Sequence, residues 1–134
     1  MLLILFAESS QVKEGQTILL VDYDQSVIDT VRKLVNQTGL RLILAENGQE
    51  GLDLVKAELP DLVIIRKDVP ILDALSISVL LKQSPETRDI PVAVICAEAS
   101  PSERERFRDA GCIDFIEEPF TANDLLRKLE DWLP

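Results

Sequence analysis

The feature that most restricts the fold of this chain is a regular alternation, from Thr17 onward, between short apolar runs and amphipathic segments. Apolar residues in the intervening segments recur at helical spacing. The predicted strands are Ile18–Val21, Arg41–Ala45, Leu62–Ile65, Pro91–Cys96 and Ile113–Ile116. Strands that alternate with helices form a parallel sheet joined by right-handed crossovers. The sequence therefore predicts an α/β fold in which a doubly wound sheet of five parallel strands lies between two helical layers.

Capping signals bound the predicted helices. Gly39 is placed to end the first helix as its C-cap. The second carries Leu52, Val55 and Leu59 on one face and is stopped by Pro60. The other three are predicted over Asp73–Gln83, Pro101–Ala110 and Thr121–Leu133.

The composition of the chain argues against several classes of function. The chain has 134 residues, which indicates one domain, and a net charge of −10, which argues against binding nucleic acid or an anionic membrane. The absence of histidine removes the commonest general base and zinc ligand. The two cysteines, Cys96 and Cys112, are too few for a secreted disulfide framework, and they fall at opposite edges of the predicted sheet. We therefore expect a cytoplasmic protein without a disulfide.

Residues 1–16 are predicted to precede the domain as an N-terminal extension, and the domain itself is predicted over residues 17–134. The apolar run Leu2–Phe6 is shorter than a signal-peptide core and far shorter than a membrane span. Three interpretations stay open for this run: a strand added at the sheet edge, a dimer contact, or the disordered remnant of a preceding segment.

In doubly wound sheets, functional residues gather at the carboxyl ends of the strands. The candidates at those positions are Asp22, Tyr23, Asp24, Arg66, Cys96 and Glu118.

Several motifs, in order, give the chain a resemblance to the receiver domain of bacterial two-component response regulators. They are ILLVDYDQSV, AENGQEGLDLV, PDLVII, IPVAVICAEAS and GCIDFIEEPFTANDLL, and together they cover about Thr17–Leu133. The resemblance implies a flavodoxin-like (βα)5 fold with strand order 2-1-3-4-5. It also implies that Phe115 occupies the position of the aromatic residue whose rotamer reports phosphorylation.

The resemblance breaks down at the residues that carry receiver chemistry. The family has an aspartate phosphoacceptor at the end of the third strand and two acidic residues that hold Mg²⁺ after the first. It also has a hydroxyl residue after the fourth strand and a lysine before the last Pro-Phe. Of these, only Asp22 is retained. Tyr23, Arg66, Cys96 and Glu118 replace the second acidic residue, the phosphoacceptor, the hydroxyl residue and the lysine.

These replacements predict a degenerate phosphoacceptor pocket. Arg66 has no carboxylate, so aspartyl phosphorylation at position 66 is impossible. Its guanidinium is always charged and opposes the binding of a divalent cation by several kcal/mol, since a unit charge about 4 Å away is worth ~4 kcal/mol. We therefore expect no catalytic residue and no cofactor, with Mg²⁺ binding weak or absent and Asp22 at most a ligand. Because the charges at positions 66 and 118 are both reversed, we hypothesise a salt bridge between Arg66 and Glu118 in which Asp22 can share. The alternative is an unpaired, solvated Arg66 at the strand end.

The remaining candidates have simpler interpretations. Asp24 and Asp73 are predicted helix caps, and Asp68 is a loop carboxylate too far beyond the strand to replace the phosphoacceptor. Cys96 is interpreted as a small core residue. Phe115 is expected in one packed position. The charges Arg104, Arg106 and Arg108 alternate with acidic residues and are interpreted as a solvated helix face.

The leading hypothesis is a receiver-like module that is not an enzyme and binds a protein partner or an adjacent domain without being switched by phosphorylation. The resemblance implies a contact surface on the fourth helix, fifth strand and fifth helix. The alternative is the third helix, where apolar residues occupy nearly all sides, and a homodimer is a further possibility. A second hypothesis is a phosphorylatable receiver that uses Asp68 or Asp22 as acceptor. A flavin or nucleotide carrier is disfavoured, because Asp22-Tyr23-Asp24 would repel phosphate. A metal-dependent hydrolase using Asp22 and Asp24 is disfavoured by Arg66 and the lack of histidine.

Overall fold

The sheet of this protein has the predicted strand order. A computed structural model describes residues 12–134, in which five parallel strands are ordered β2-β1-β3-β4-β5. The strands are β1 Thr17–Val21, β2 Arg41–Ala45, β3 Leu62–Arg66, β4 Val92–Cys96 and β5 Asp114–Glu117. The helices are α1 Gln25–Thr38, α2 Gly48–Glu58, α3 Ala74–Lys82, α4 Pro101–Asp109 and α5 Ala122–Trp132.

The central strands are buried on both faces. Every residue of β3 and β4 is buried, as expected of a parallel strand covered by helices on each side. Alternate side chains enter two apolar clusters. Leu62 and Ile64 pack with α1 and α5, whereas Val63 and Ile65 pack with α2, α3 and α4. This alternation decides which layer each residue at a strand end faces.

The ends of α1 and α3 follow the predicted capping residues, and α2 ends before Pro60 as predicted. Asp24 and Asp73 are the N-caps of α1 and α3, and Gly39 ends α1 with a left-handed φ of 76°. The prediction that Leu59 lies on the buried face of α2 is wrong. Leu59 is 52% exposed and takes up a left-handed conformation, because Pro60 disfavours a helical conformation in the residue before it.

Residues 12–16 of the predicted extension are attached to the domain. Val12 is buried in the cluster formed with α1 and α5. The Gly15 amide donates to the Gly39 carbonyl at 3.0 Å, and the Arg41 amide donates to the Gln16 carbonyl at 2.8 Å. The interpretations offered for Leu2–Phe6 lie outside the described residues. Across residues 12–134, every helix is too short or too polar to cross a bilayer.

Strand β5 begins at Asp114, one residue later than predicted, and this residue joins the strand to α5. Its carboxylate accepts hydrogen bonds from Lys128 Nζ at 3.0 Å, Trp132 Nε1 at 3.0 Å and the Phe115 amide at 2.8 Å. Burial acts to raise the pKa of Asp114, but these three donors outweigh it and hold the pKa below its usual value. Asp114 is therefore a charged anchor for the last helix.

This anchor predicts a loss of stability in acid. Because the pKa of Asp114 is lowered by folding, its contribution is complete above about pH 4–5 and is lost as the pH falls further towards the folded-state pKa. We expect the free energy of unfolding in urea to fall less between pH 6 and pH 3 for Asp114→Asn than for the wild type. Asparagine keeps an acceptor for Lys128 and Trp132 but does not titrate, and equal losses for the two proteins would contradict the prediction.

Candidate functional site

The candidate site lies where three strands end at one edge of the sheet. Val21, the last residue of β1, pairs with Ile65 of β3, so Asp22 and Arg66 are neighbours at the next position. Glu118 follows β5, and its amide donates to the Cys96 carbonyl at the end of β4 at 2.9 Å. Parallel pairing of the strands thus brings together residues that are 44 and 52 positions apart in the chain.

The Arg66 side chain forms the centre of the site. Its Nε donates to Asp22 Oδ1 at 2.6 Å, and its Nη1 and Nη2 donate to the two carboxylate oxygens of Glu118 at 2.6 and 3.1 Å. Asp24 lies farther away, with Oδ2 at 3.7 Å from Nη2. The predicted salt bridge between Arg66 and Glu118, shared with Asp22, is confirmed. The contact between Arg66 and Glu118 is bidentate, which is a strong arrangement for a guanidinium and a carboxylate.

Burial makes these charges depend on one another. Arg66 is 8% exposed; hydrogen bonds to Glu118 raise its pKa against the opposing effect of burial, and Asp22 raises it further. The Asp22 side chain is completely buried. Its Oδ1 also accepts from the Tyr23 and Asp24 amides at 2.7 and 3.0 Å, whereas Oδ2 has no partner within the described part of the chain. Arg66 is the cation that compensates this buried carboxylate.

Tyr23 lies over the guanidinium at the surface of the site. The ring centroid is 5.5 Å from Arg66 Cζ, within the range of a cation–π contact, and the residue is 52% exposed. Its hydroxyl donates to Asp68 Oδ2 at 3.4 Å. Partial burial and the Asp68 carboxylate raise the pKa of this hydroxyl. The structure therefore brings together five of the predicted residues: Asp22, Tyr23, Asp24, Arg66 and Glu118.

Cys96 is not joined to this cluster by a side-chain hydrogen bond within residues 12–134. It is buried, as predicted for a core residue, and burial raises the pKa of its thiol. Cys112 precedes β5 at the opposite edge of the sheet, where its Sγ lies 3.0 Å from Ser78 Oγ. Both thiols are free.

A second group of charges near the site was not predicted. Lys67, the residue after Arg66, donates from Nζ to the Glu98 carbonyl at 3.2 Å and to Glu103 Oε2 at 2.9 Å. These contacts join the end of β3 to the loop before α4 and to the first turn of that helix. The available signal was a lysine directly after a buried strand, and by itself it does not identify a partner.

The interpretation of Arg104 as part of a solvated face is wrong. Arg104 is ion-paired with Glu117, and its Cζ lies 5.0 Å from the centroid of the Phe115 ring. Arg104 lies three positions before the buried Phe107, so both lie on the side of α4 that faces the sheet. Arg106 and Arg108 are exposed, as predicted. Phe115 is buried, with its ring edge-to-face with Phe107 at 5.4 Å, and its restriction to one packed position stays a prediction.

Comparison with known sequences gives a consistent match. Residues 18–130 match the response regulator receiver domain family. The response regulator MprA of Mycolicibacterium vanbaalenii is 35% identical over 112 residues, which are 84% of this chain and 48% of MprA. The MprA protein of Mycobacterium avium is 33% identical over the same length. This chain therefore spans about half the length of the curated relatives it matches.

Solved structures with the same fold agree with this match. The receiver domain of sensor histidine kinase PA1611 from Pseudomonas aeruginosa, which holds a magnesium ion in its active site cleft, is 25% identical, with a TM-score of 0.79 over 88% of this chain and 97% of that one. The Vibrio cholerae chemotaxis protein CheY4 has a TM-score of 0.83 at 20% identity, over 89% and 99% of the two chains, and supports the fold alone.

Proposed function

The chain belongs to the response regulator receiver domain family. We propose that it is a member of this family that acts without phosphorylation. In this proposal it binds a protein partner, or an adjacent domain, of a two-component pathway in the cytoplasm and catalyses no reaction. One observation carries the proposal. At the position that the family resemblance gives to the phosphoacceptor, a buried guanidinium is ion-paired with both Asp22 and Glu118.

Neither Arg66 nor the two carboxylates that pair with it most closely offers a free nucleophile to a phosphodonor. A guanidinium stays protonated in proteins, so Arg66 has no lone pair with which to attack phosphorus. The nearest fully buried carboxylate, Asp22, uses Oδ1 to accept three hydrogen bonds, and its Oδ2 is shielded from solvent. Glu118 engages both of its oxygens with Arg66. These contacts support a site that phosphoryl transfer does not use.

The magnesium ion that the family implies does not fit these residues. Tyr23 offers a phenol, hydrogen-bonded to Asp68, where the family has its second acidic residue. Residues 12–134 contain no group of three or more Cys, Asp or Glu side chains arranged to hold a metal. A divalent cation would also lie beside the permanent charge of Arg66, and Mg²⁺ prefers anionic oxygen ligands.

A partner with a basic surface suits the charge of the chain. The net charge of −10 favours encounter with a cationic partner, since complementary charges increase the association rate. The outer side of α3 offers apolar contact area, because Val79 and Leu80 are exposed and Ile71, just before the helix, is 75% exposed. The face formed by α4, β5 and α5 remains the alternative contact surface.

The direct test is to add Mg²⁺ and beryllofluoride to the wild type and record amide NMR spectra. Because the guanidinium occupies the acceptor position, we expect no saturable shifts at residues 22–24, 66–68, 96–98 or 118. Saturable shifts at these strand ends would overturn the proposal.

The competing hypothesis, phosphorylation at another carboxylate, requires a chemical test. Asp68 is exposed, and its described partner is the Tyr23 hydroxyl at 3.4 Å. After incubation with a small-molecule phosphodonor and Mg²⁺, we expect mass spectrometry to find no phosphate on Asp68 or Asp22. A phosphate on wild-type Asp68 that is lost in Asp68→Asn would favour the competing hypothesis.

A further inference from the structure

We propose that four charged residues form a second group of ion pairs, separate from the Arg66 site. This group holds α4 and Phe115 in one position against the sheet. The residues are Lys67, Glu103, Arg104 and Glu117, and we call them the α4 clamp. They form two ion pairs, Lys67–Glu103 and Arg104–Glu117. The first joins α4 to the end of β3, and the second joins it to the end of β5.

Arg104 encloses the Phe115 ring. Its guanidinium lies over the ring with Cζ 5.0 Å from the centroid, while the edge-to-face contact with Phe107 covers another side of the ring. Arg104 Nε also donates to the Ala99 carbonyl at 3.3 Å, and its Nη2 donates to Glu117. The Phe115 ring therefore cannot turn outward without displacing a side chain that the Ala99 carbonyl and Glu117 hold in place.

Lys67 fixes the start of α4. The Glu103 carboxylate accepts from Lys67 Nζ with Oε2 and, at 3.2 Å, from the Ser100 amide with Oε1. The hydrogen bond between them raises the pKa of Lys67 and lowers that of Glu103, so both are charged at neutral pH. The Glu103 carboxylate thus takes part both in the N-terminal cap of α4 and in the ion pair with Lys67 after β3. Lys67 Nζ also donates a hydrogen bond to the Glu98 carbonyl.

The clamp is separate from the Arg66 site because the two lie on opposite faces of the sheet. Ile65 and Phe115 belong to the apolar cluster of α2, α3 and α4, whereas Ile64 and Ile116 belong to that of α1 and α5. By strand alternation, Arg66 and Glu118 fall on the α1 and α5 face. Lys67 follows Arg66 and Glu117 precedes Glu118, so both fall on the α4 face. Within residues 12–134, no hydrogen bond or ion pair links the two groups.

The clamp therefore does not rest on the proposed function, and it acts on a different element. The Arg66 site holds the loop after β5, whereas the clamp holds α4 and the ring at the position predicted for the switch aromatic. If the clamp acts in this way, loss of the Arg66 contacts leaves α4 in place, and loss of the clamp frees α4 with the Arg66 site intact.

Amide hydrogen exchange, followed by mass spectrometry on the full chain, tests the clamp. For Arg104→Gln we expect exchange of peptides from residues 97–117 to be about five-fold faster than in the wild type, the effect of losing one cation–π contact and a partly exposed ion pair. Arg108→Gln is the matched control, since Arg108 is exposed on the same helix and forms no described ion pair; its exchange should stay within about two-fold. Peptides of β1 report global unfolding and should not change beyond that control.

A second variant and a salt titration keep the test decisive. Lys67→Met keeps an unbranched side chain that is one heavy atom shorter and removes the charge, and it should accelerate exchange in the same peptides. If either variant fails to fold, the wild type at about 0.05 and about 1 M salt replaces it, because salt screens partly exposed ion pairs and should also accelerate exchange. Exchange in residues 97–117 that is unchanged in both variants, or by salt where that replaces a variant, would overturn the clamp. The beryllofluoride experiment tests the Arg66 site independently.

Discussion

Replacing Arg66 with alanine is expected to lower the free energy of unfolding by about 3–5 kcal/mol, the cost of leaving a buried charge without its partner. The buried charge is Asp22, whose side chain is completely buried and whose Oδ2 already has no partner among the described residues. Urea unfolding followed by circular dichroism at pH 7 would measure the change.

The same experiment separates a coupled pair from independent charges. Glu118→Ala is expected to cost less than Arg66→Ala, because Arg66 then keeps its bond to Asp22 and Glu118 is partly exposed. In the double variant the two losses should not add, since the interaction is already lost in each single variant. Arg127→Ala removes an exposed ion pair with Asp124 and should cost less than about 1 kcal/mol. Strictly additive losses at positions 66 and 118 would contradict the coupling.

The second large effect is expected on restoring the charges of the family pattern. The triple variant Tyr23→Asp, Arg66→Asp, Glu118→Lys removes the guanidinium and the Glu118 carboxylate, and it adds two carboxylates beside Asp22 and a lysine at position 118. The formal charge of the site becomes more negative by one unit. Each unit charge about 4 Å from a cation is worth ~4 kcal/mol at an effective dielectric of 20, so even a part of this change raises Mg²⁺ affinity by at least about 100-fold. Calorimetric titration with Mg²⁺ would measure the affinity, and a small-molecule phosphodonor would test acceptance of phosphate at position 66.

The matched control carries Arg66→Asn in place of Arg66→Asp. It removes the guanidinium and keeps the other two substitutions, but it supplies no carboxylate nucleophile at position 66. We expect it to bind Mg²⁺ more weakly than the triple variant and to take up no phosphate there. A folded triple variant that binds Mg²⁺ no better than the wild type would show that these positions do not form a degenerate phosphoacceptor pocket.

The Arg66 cluster could be predicted because its geometry follows from the fold. Parallel strands end at one edge of the sheet, and the family resemblance set the strand order, so opposite charges at positions 66 and 118 implied a contact. The α4 clamp could not be predicted in this way. Arg104, Arg106 and Arg108 alternate with acidic residues in the same manner, and only the register of α4 on the sheet directs the first towards Phe115. The unpartnered Oδ2 of Asp22 depends on side-chain packing, which periodicity does not specify.

The two-pronged contact between Arg66 and Glu118 also restricts the mutational routes by which such a chain can arise or revert. Arg66→Asp alone would set a new carboxylate against Glu118 beside buried Asp22, and Glu118→Lys alone would set two cations together. Either first step places like charges within a few ångströms in a poorly hydrated site, which costs several kcal/mol. Reversal therefore requires two changes at once, or a neutral residue as an intermediate, so natural selection acting on single substitutions tends to retain the exchanged pair.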